Sequence, residues 1–223
     1  MNLMPVWVSV QLASVTVLVL LALGTPLAWW LAVSHSRWRV VVDAVVALPL
    51  VLPPTVLGFY MLILLGPQGP IGGPWMAVTE QTLTFSFTGL VITSVLYSLP
   101  FVVQPLRDAF RSVGAGPMEV AATLGAKPFD AFFSIACPLA GRGFLTAAVL
   151  GFAHTLGEFG AVLMVGGSLP GETRVVAIAI YEQVETLEYG AAHALSAGLL
   201  GFSFVVLVLI YSLNRHARPG VSG

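Results

Sequence analysis

The chain has 223 residues, of which 57% are hydrophobic and only 9% are Asp, Glu, Lys or Arg, with a formal net charge of -1. Soluble domains carry roughly 25% charged residues, so this composition excludes a water-soluble globular protein and gives no support to nucleic-acid binding. The single cysteine, Cys137, rules out an internal disulfide and reads as a small apolar residue.

A helix crosses a hydrocarbon core roughly 30 Å thick with about 20 predominantly apolar residues. Apolar runs of that kind cover about residues 8–33, 40–65, 87–103, 144–165 and 191–213. They predict an all-α, polytopic membrane protein of about five transmembrane helices, folded as one domain over 1–223. No Lys or Arg precedes the first run, which is too long for the apolar region of a cleaved signal peptide, so it is expected to remain in the mature protein.

The second run holds Pro49, Pro53, Pro54 and Gly58. Each interior proline removes a backbone hydrogen bond and bends the helix. Irregular backbone at membrane depth is tolerated only against protein or a water-filled cavity. Pro53, Pro54 and Thr55 are therefore candidates for a pathway-lining bend or gate, with a packing kink as the equal alternative. Residues 66–74, GPQGPIGGP, read as a turn-rich loop.

The fourth run carries the most polar intramembrane stretch, HTLGEFGAVLMVGG, from His154 through Gly157 and Glu158 to Gly167. His154 and Glu158 are four apart and share one helical face. A charge near the bilayer centre costs about 2.5–3.5 kcal/mol on insertion scales, so such residues face the bundle interior and mark function. Glu158 is expected to be a structural or gating group, bonded to His154 or to backbone donors of another span. Hydroxyl donors along a path are sought among Thr55, Thr93, Ser94, Ser98 and Thr155, although each also has helix-internal partners to choose from. An intramembrane enzyme built on His154, Glu158 and His193 fails on spacing, since no His-Glu-x-x-His pattern occurs. Beyond the fourth run, residues 172–189 place Val176, Ile180, Val184 and Leu187 at three and four spacing among Glu182, Glu185 and Glu188, the pattern of an amphipathic helix on the outer face.

Lys and Arg favour the cytoplasmic side of short loops. With five spans, Arg37, Arg39, Arg107, Arg111, Lys127, Arg142, Arg215 and Arg218 fall on one side and Arg174 alone on the other. The N-terminus is thereby expected outside, the C-terminus inside, and the loop at about 106–142 in the cytoplasm. Within that loop, Pro117 suits a first helical turn, 118–124 is a short helix of small residues, Gly125 grants a conformation or a close approach that a side chain would obstruct, and 130–135 continues as an amphipathic helix up to Pro138.

The stretch EVAATLGAKPFDAFFSIACP, residues 119–138, resembles the coupling loop of ABC-importer permeases, whose pattern is Glu-Ala-Ala, three residues, Gly, nine residues, Ile, one residue, Leu-Pro. Glu119, Ala121, Gly125, Ile135 and Pro138 match, while Val120 and Cys137 are apolar replacements. LPPTVLGFYML in the second run resembles the matching segment of molybdate and sulfate permeases, and residues 155–181 resemble molybdate-type permeases more closely, so with the coupling loop the likeness covers about 49–211. This resemblance implies a bacterial inner-membrane permease for molybdate, with sulfate, thiosulfate or tungstate as the alternative cargo. It also implies a homodimer, ABC ATPase subunits at the cytoplasmic face and a soluble molybdate-binding protein outside. Glu119, Ala121, Ala122 and Gly125 are the residues it marks for ATPase coupling. No Gly-x-x-x-x-Gly-Lys-Ser/Thr loop occurs, so ATP hydrolysis is expected on a partner chain, and no catalytic residue, cofactor or metal is expected here.

Overall fold

The computed structural model describes residues 3–215; His216 and Arg218, the latter one of the cations assigned to the inner side, lie outside the described residues. Among the described residues all regular structure is helical. In chain order there are α1 (Met4–Val33), α2 (Trp38–Ala47), α3 (Pro54–Leu65), α4 (Gly72–Thr79), α5 (Phe87–Val113), α6 (Gly116–Thr123), α7 (Pro128–Ala131), α8 (Cys137–Leu139), α9 (Gly141–Leu156), α10 (Gly160–Gly166), α11 (Val176–Glu185) and α12 (Tyr189–Arg215).

Helices α1, α5 and α9 form the central bundle. In lipid no hydrophobic drive pulls helices together, so close backbone approach through small residues has to do it. A Cβ on Gly24 would stand 3.2 Å from Val103 Cγ2, one on Gly151 2.6 Å from Val102 Cγ2, and one on Gly143 2.2 Å from Ala109 Cβ. Around these contacts Leu20, Ala28, Leu31, Leu106 and Ala147 are fully buried. At the end of the bundle nearest α6, Phe110 meets Trp29 edge-on at 5.2 Å and Phe144 at 5.9 Å. Helix α5 begins with a side-chain cap, Ser86 Oγ accepting from Gly89 N–H at 3.1 Å.

By length and composition, α1, α5 and Tyr189–Val208 of α12 suffice to cross a membrane, and up to five spans result if two bent helix pairs each count as one. The expected second span, 40–65, is not continuous. It folds as Trp38–Leu50 and Pro54–Leu65 with a bend of 107° between them. Both Leu52 and Pro53 precede a proline, which disfavours the helical region for each of them. Pro53 is accordingly extended, at ψ 136, and Pro54 takes the first position of α3, where its missing N–H is harmless.

The expected fourth span, 144–165, is also divided, into α9 and α10 with a non-helical link at 157–159. Gly157 closes α9, its N–H reaching Ala153 O and His154 O, and Phe159 leaves helical geometry at φ −130, ψ −67. The two interruptions then meet. A Cβ on Gly58 of α3 would lie 3.0 Å from Ala161 Cα of α10, and one on Gly160 3.1 Å from Pro54 Cβ. These absent side chains let α3 and α10 pack as a pair.

Smaller differences have local causes. The third run continues as helix to Val113, ten residues past its apolar end. The 66–74 stretch is a loop only at its start, since α4 begins at Gly72. Residues 130–135 do not make an α-helix: Phe132–Ala136 is a π-helical turn in which Cys137 N–H reaches Phe132 O, and Pro138, next in line, has no N–H to resume the α register. Helix α11 ends at Glu185, and Leu187 sits at φ 63, so it is not part of the expected apolar stripe.

Candidate functional site

Two groupings of residues stand out, one against the N-terminal half of α5 and one beyond its C-terminal end. The first surrounds Glu158, which is 3% exposed. The 157–159 link turns its carboxylate onto α5, where Ser94 O–H donates to Oε2 at 2.5 Å and Ser98 O–H donates to Oε1 at 2.7 Å. The spacings explain the fit. Ser94 and Ser98 are four apart on one face of α5, as His154 and Glu158 are four apart across the end of α9.

Ser98 is the centre of this network. Its hydroxyl has one proton, given to Glu158, and two lone pairs, which face Thr155 Oγ1 at 2.9 Å and His154 Nδ1 at 2.9 Å. With that proton committed, His154 Nδ1 carries the hydrogen and donates to Ser98. The imidazole is 3.5 Å from Glu158 Oε1 and stacks on Phe101 with centroids 3.8 Å apart, Tyr97 flanking at 4.9 Å. Burying a carboxylate is costly unless it is hydrogen-bonded. Here two hydroxyl donors of another helix supply that, where His154 or backbone donors of another span were expected, and His154 joins through Ser98.

The other residues singled out for a pathway are arranged differently. Thr93 is buried, but its hydroxyl returns to Gly89 O of its own helix at 2.8 Å. Pro53, Pro54 and Thr55 are exposed at the α2–α3 bend, and Gly157 is exposed beside Glu158. Thr55 and Pro54 touch the start of α10 near Gly160, so the bend and the Glu158 link are neighbours.

The second grouping is the loop from α6 to α8. Helix α6 ends in a Schellman cap: Ala126 N–H bonds Ala121 O and Gly125 N–H bonds Ala122 O, both at 3.0 Å, with Gly125 at φ +83. Nothing lies within 4 Å of where a Gly125 Cβ would be, so this glycine is there for its backbone conformation and not for space. Glu119, Ala122 and Gly125 are exposed, whereas Ala121 is turned into the bundle at 4% exposure. Leu124, Phe129 and Phe133 are 82%, 73% and 56% exposed on the same loop. Sequence reasoning passed over these three, although large apolar residues within a small-residue and polar loop were the available signal of a docking face.

A cavity of 510 Å³ lies behind α6, lined by Trp29, His35, Phe110, Arg111, Met118, Glu119 and Ala122 among others. Close by, Arg107 bonds Asp43 at 2.5 Å and Arg111 approaches it at 3.7 Å, tying α2 to the last turns of α5. From Ser98 to Phe110 is twelve helical residues, about 18 Å at 1.5 Å per residue. One helix therefore spans the distance between the two groupings. At the other end of the molecule Arg174 pairs with Glu182, and Tyr181 donates to Glu185 at 2.6 Å, which pushes its phenol above the ordinary tyrosine range. Among the described residues no cluster of His, Cys, Asp and Glu is arranged to hold a metal ion.

Comparison with known proteins bears on the chain as a whole. The chain is 56% identical over 214 residues to the molybdenum transport system permease protein ModB of Azotobacter vinelandii, covering 96% of this chain and 94% of the relative. It is 37% identical over 217 residues to ModB of Escherichia coli K12, covering 94% and 93%. Among solved structures it is similar to a chain of the inward-facing MetNI methionine ABC transporter, with a TM-score of 0.68 at 15% identity over 96% of this chain and 94% of the other. A bacterial alginate ABC transporter in complex with an alginate-bound periplasmic protein gives 0.69 at 17% identity, over 97% and 78%, a likeness of fold. Residues 24–220 match the family described as binding-protein-dependent transport system inner membrane component, and the chain belongs to that family.

Proposed function

We propose that this chain is the membrane permease of a molybdate importer, resident in the inner membrane, driven by separate ABC ATPase subunits and fed by a soluble binding protein. The observation that carries the cargo assignment is the 56% identity, over nearly the whole of both chains, to a molybdenum transport permease. Sulfate is the second reading, favoured by a 31% identity over 196 residues to the sulfate permease CysT of Synechocystis. The lower identity ranks it behind molybdate.

In this reading the α6–α8 loop, with Glu119, Ala122 and Gly125 exposed and Ala121 anchoring it, is the surface that meets the ATPase. The α2–α3 bend at Pro53, Pro54 and Thr55 and the His154–Gly157–Glu158 link are the gate, joined to that surface through α5. Five spans put the N-terminus outside and the C-terminus inside, and a two-fold pair of chains faces a pair of ATPases, in keeping with the commonest closed symmetry. Uptake of labelled molybdate against excess sulfate, in cells lacking this chain and then restored with it, tests the cargo; uptake abolished by equimolar sulfate would reassign it. Ala122→Glu should leave membrane insertion intact and abolish uptake, because it places a charge on the docking face; ATP-coupled uptake by that variant would remove α6 from the coupling role.

A further inference from the structure

We propose that the hydroxyl and imidazole donors around Glu158 form an oxyanion-binding site of the permease, and that the Glu158 carboxylate occupies it in this conformation as an internal place-holder. The proposal rests on the oxyanion-importer reading and adds a site to it.

Three observations lead there. Both hydrogen-bond partners of the carboxylate are donors, Ser94 O–H at 2.5 Å and Ser98 O–H at 2.7 Å, and the His154 ring and Thr155 donate in turn into Ser98 from behind. An ionised carboxylate and a tetrahedral metal oxyanion are both acceptor-only groups, so a cradle of donors built for one suits the other. Second, the donors and the acceptor stand on different pieces of the molecule. Ser94 and Ser98 belong to α5, and His154 and Thr155 to the last turn of α9, whereas Glu158 belongs to the non-helical link that leads into α10. Because α10 packs on α3 through Gly58 and Gly160 and also lies against α5, a slide of the α3–α10 pair along α5 draws Glu158 away from the two serines. Third, no Lys or Arg makes an ion pair with this cluster among the described residues. Neutral donors hold a dianion weakly enough to release it, which conduction requires.

Charge makes the two occupants exclusive. A dianion and the carboxylate repel each other at contact distance, so the site is empty of substrate while Glu158 is in it. The departing carboxylate is hydrated once the path opens to water. Glu158 thereby acts by occupying the site and not by touching the cargo.

The test is equilibrium binding of molybdate to the permease–ATPase complex in lipid nanodiscs with no binding protein present. Wild type should bind at background level. Glu158→Ala should raise affinity at least tenfold, and adding Ser94→Ala and Ser98→Ala to it should return binding to background. Glu158→Gln keeps the volume and one acceptor oxygen, so it serves where the alanine variant does not assemble, with a gain of about threefold expected. No gain in either variant when assembled, or a gain that survives loss of both serines, overturns the place-holder. Wild-type uptake of molybdate into proteoliposomes, with the binding protein supplied, is the separate control: its failure refutes the importer reading, and its success beside unchanged binding in the Glu158 variants refutes only this site.

Discussion

Gly125 offers a test in which backbone geometry and side-chain bulk come apart. Its φ of +83 places it in the left-handed region, and the site around its missing Cβ is open. Alanine there costs about 1–2 kcal/mol of conformational strain, partly offset by about 0.4–1 kcal/mol from the reduced freedom of the unfolded chain. The net is about 1 kcal/mol, roughly a fivefold drop in the capped population of the loop. An eight-residue helix such as α6 has little stability of its own, so this loss should be felt at the docking face. Gly125→Asn should stay close to wild type, because Asn tolerates the left-handed region; Gly125→Ala should weaken assembly with the ATPase about fivefold; Gly125→Val should be worse. Affinity between the permease in nanodiscs and purified ATPase subunit, alongside ATP-driven uptake, reads the series. Equal affinities for the Asn and Val variants would refute the cap argument, and so would a ranking that followed side-chain volume.

Two further outcomes follow from packing and charge. Gly143→Ala drives a Cβ to within 2.2 Å of Ala109 Cβ, so it should destabilise the α5–α9 contact by about 1–3 kcal/mol, and Ala109→Gly in the same chain should restore most of it in thermal unfolding in detergent; an additive double variant would mean the helices do not meet there. Asp43→Asn removes the partner that holds α2 to Arg107 and Arg111, and since Arg107 keeps Asp108 at 2.9 Å the cost should be only about 1 kcal/mol. Hydrogen exchange in Trp38–Ala47 should quicken while the central bundle is unchanged, and protection of that helix in the variant would show the pairing to be incidental.

Much of this was written in local sequence. The all-helical class followed from apolar runs long enough to cross a bilayer, and the α6 helix from a small-residue stretch ending at Gly125. The bend at Pro53 was legible because two successive residues precede a proline, although its 107° was not. The break at 157–159 escaped detection, since Gly-Glu-Phe in an apolar run carries no breaker stronger than one glycine, and what opens the helix there is tertiary: a carboxylate drawn to two serines more than fifty residues away. The same distance hid the role of Ser94 and Ser98, whose spacing matched that of His154 and Glu158 but whose pairing needed the fold. The inward turn of Ala121 was hidden because an eight-residue helix with apolar residues on several sides does not declare which side is covered.

The 510 Å³ space behind α6 bears on how stiffly a push would be relayed. A helix backed by packed side chains yields little under load, because dense interiors resist compression. Helix α6 is seated at the buried Ala121 and hollow beside Met118, Glu119 and Ala122. Its compliance is therefore uneven along eight residues: pressure on the hollow flank is spent on rocking, whereas pressure over the seated residue is met by packed side chains, α6 lying against the Phe132–Ala136 turn. A partner that bears on the wrong flank would grip without driving.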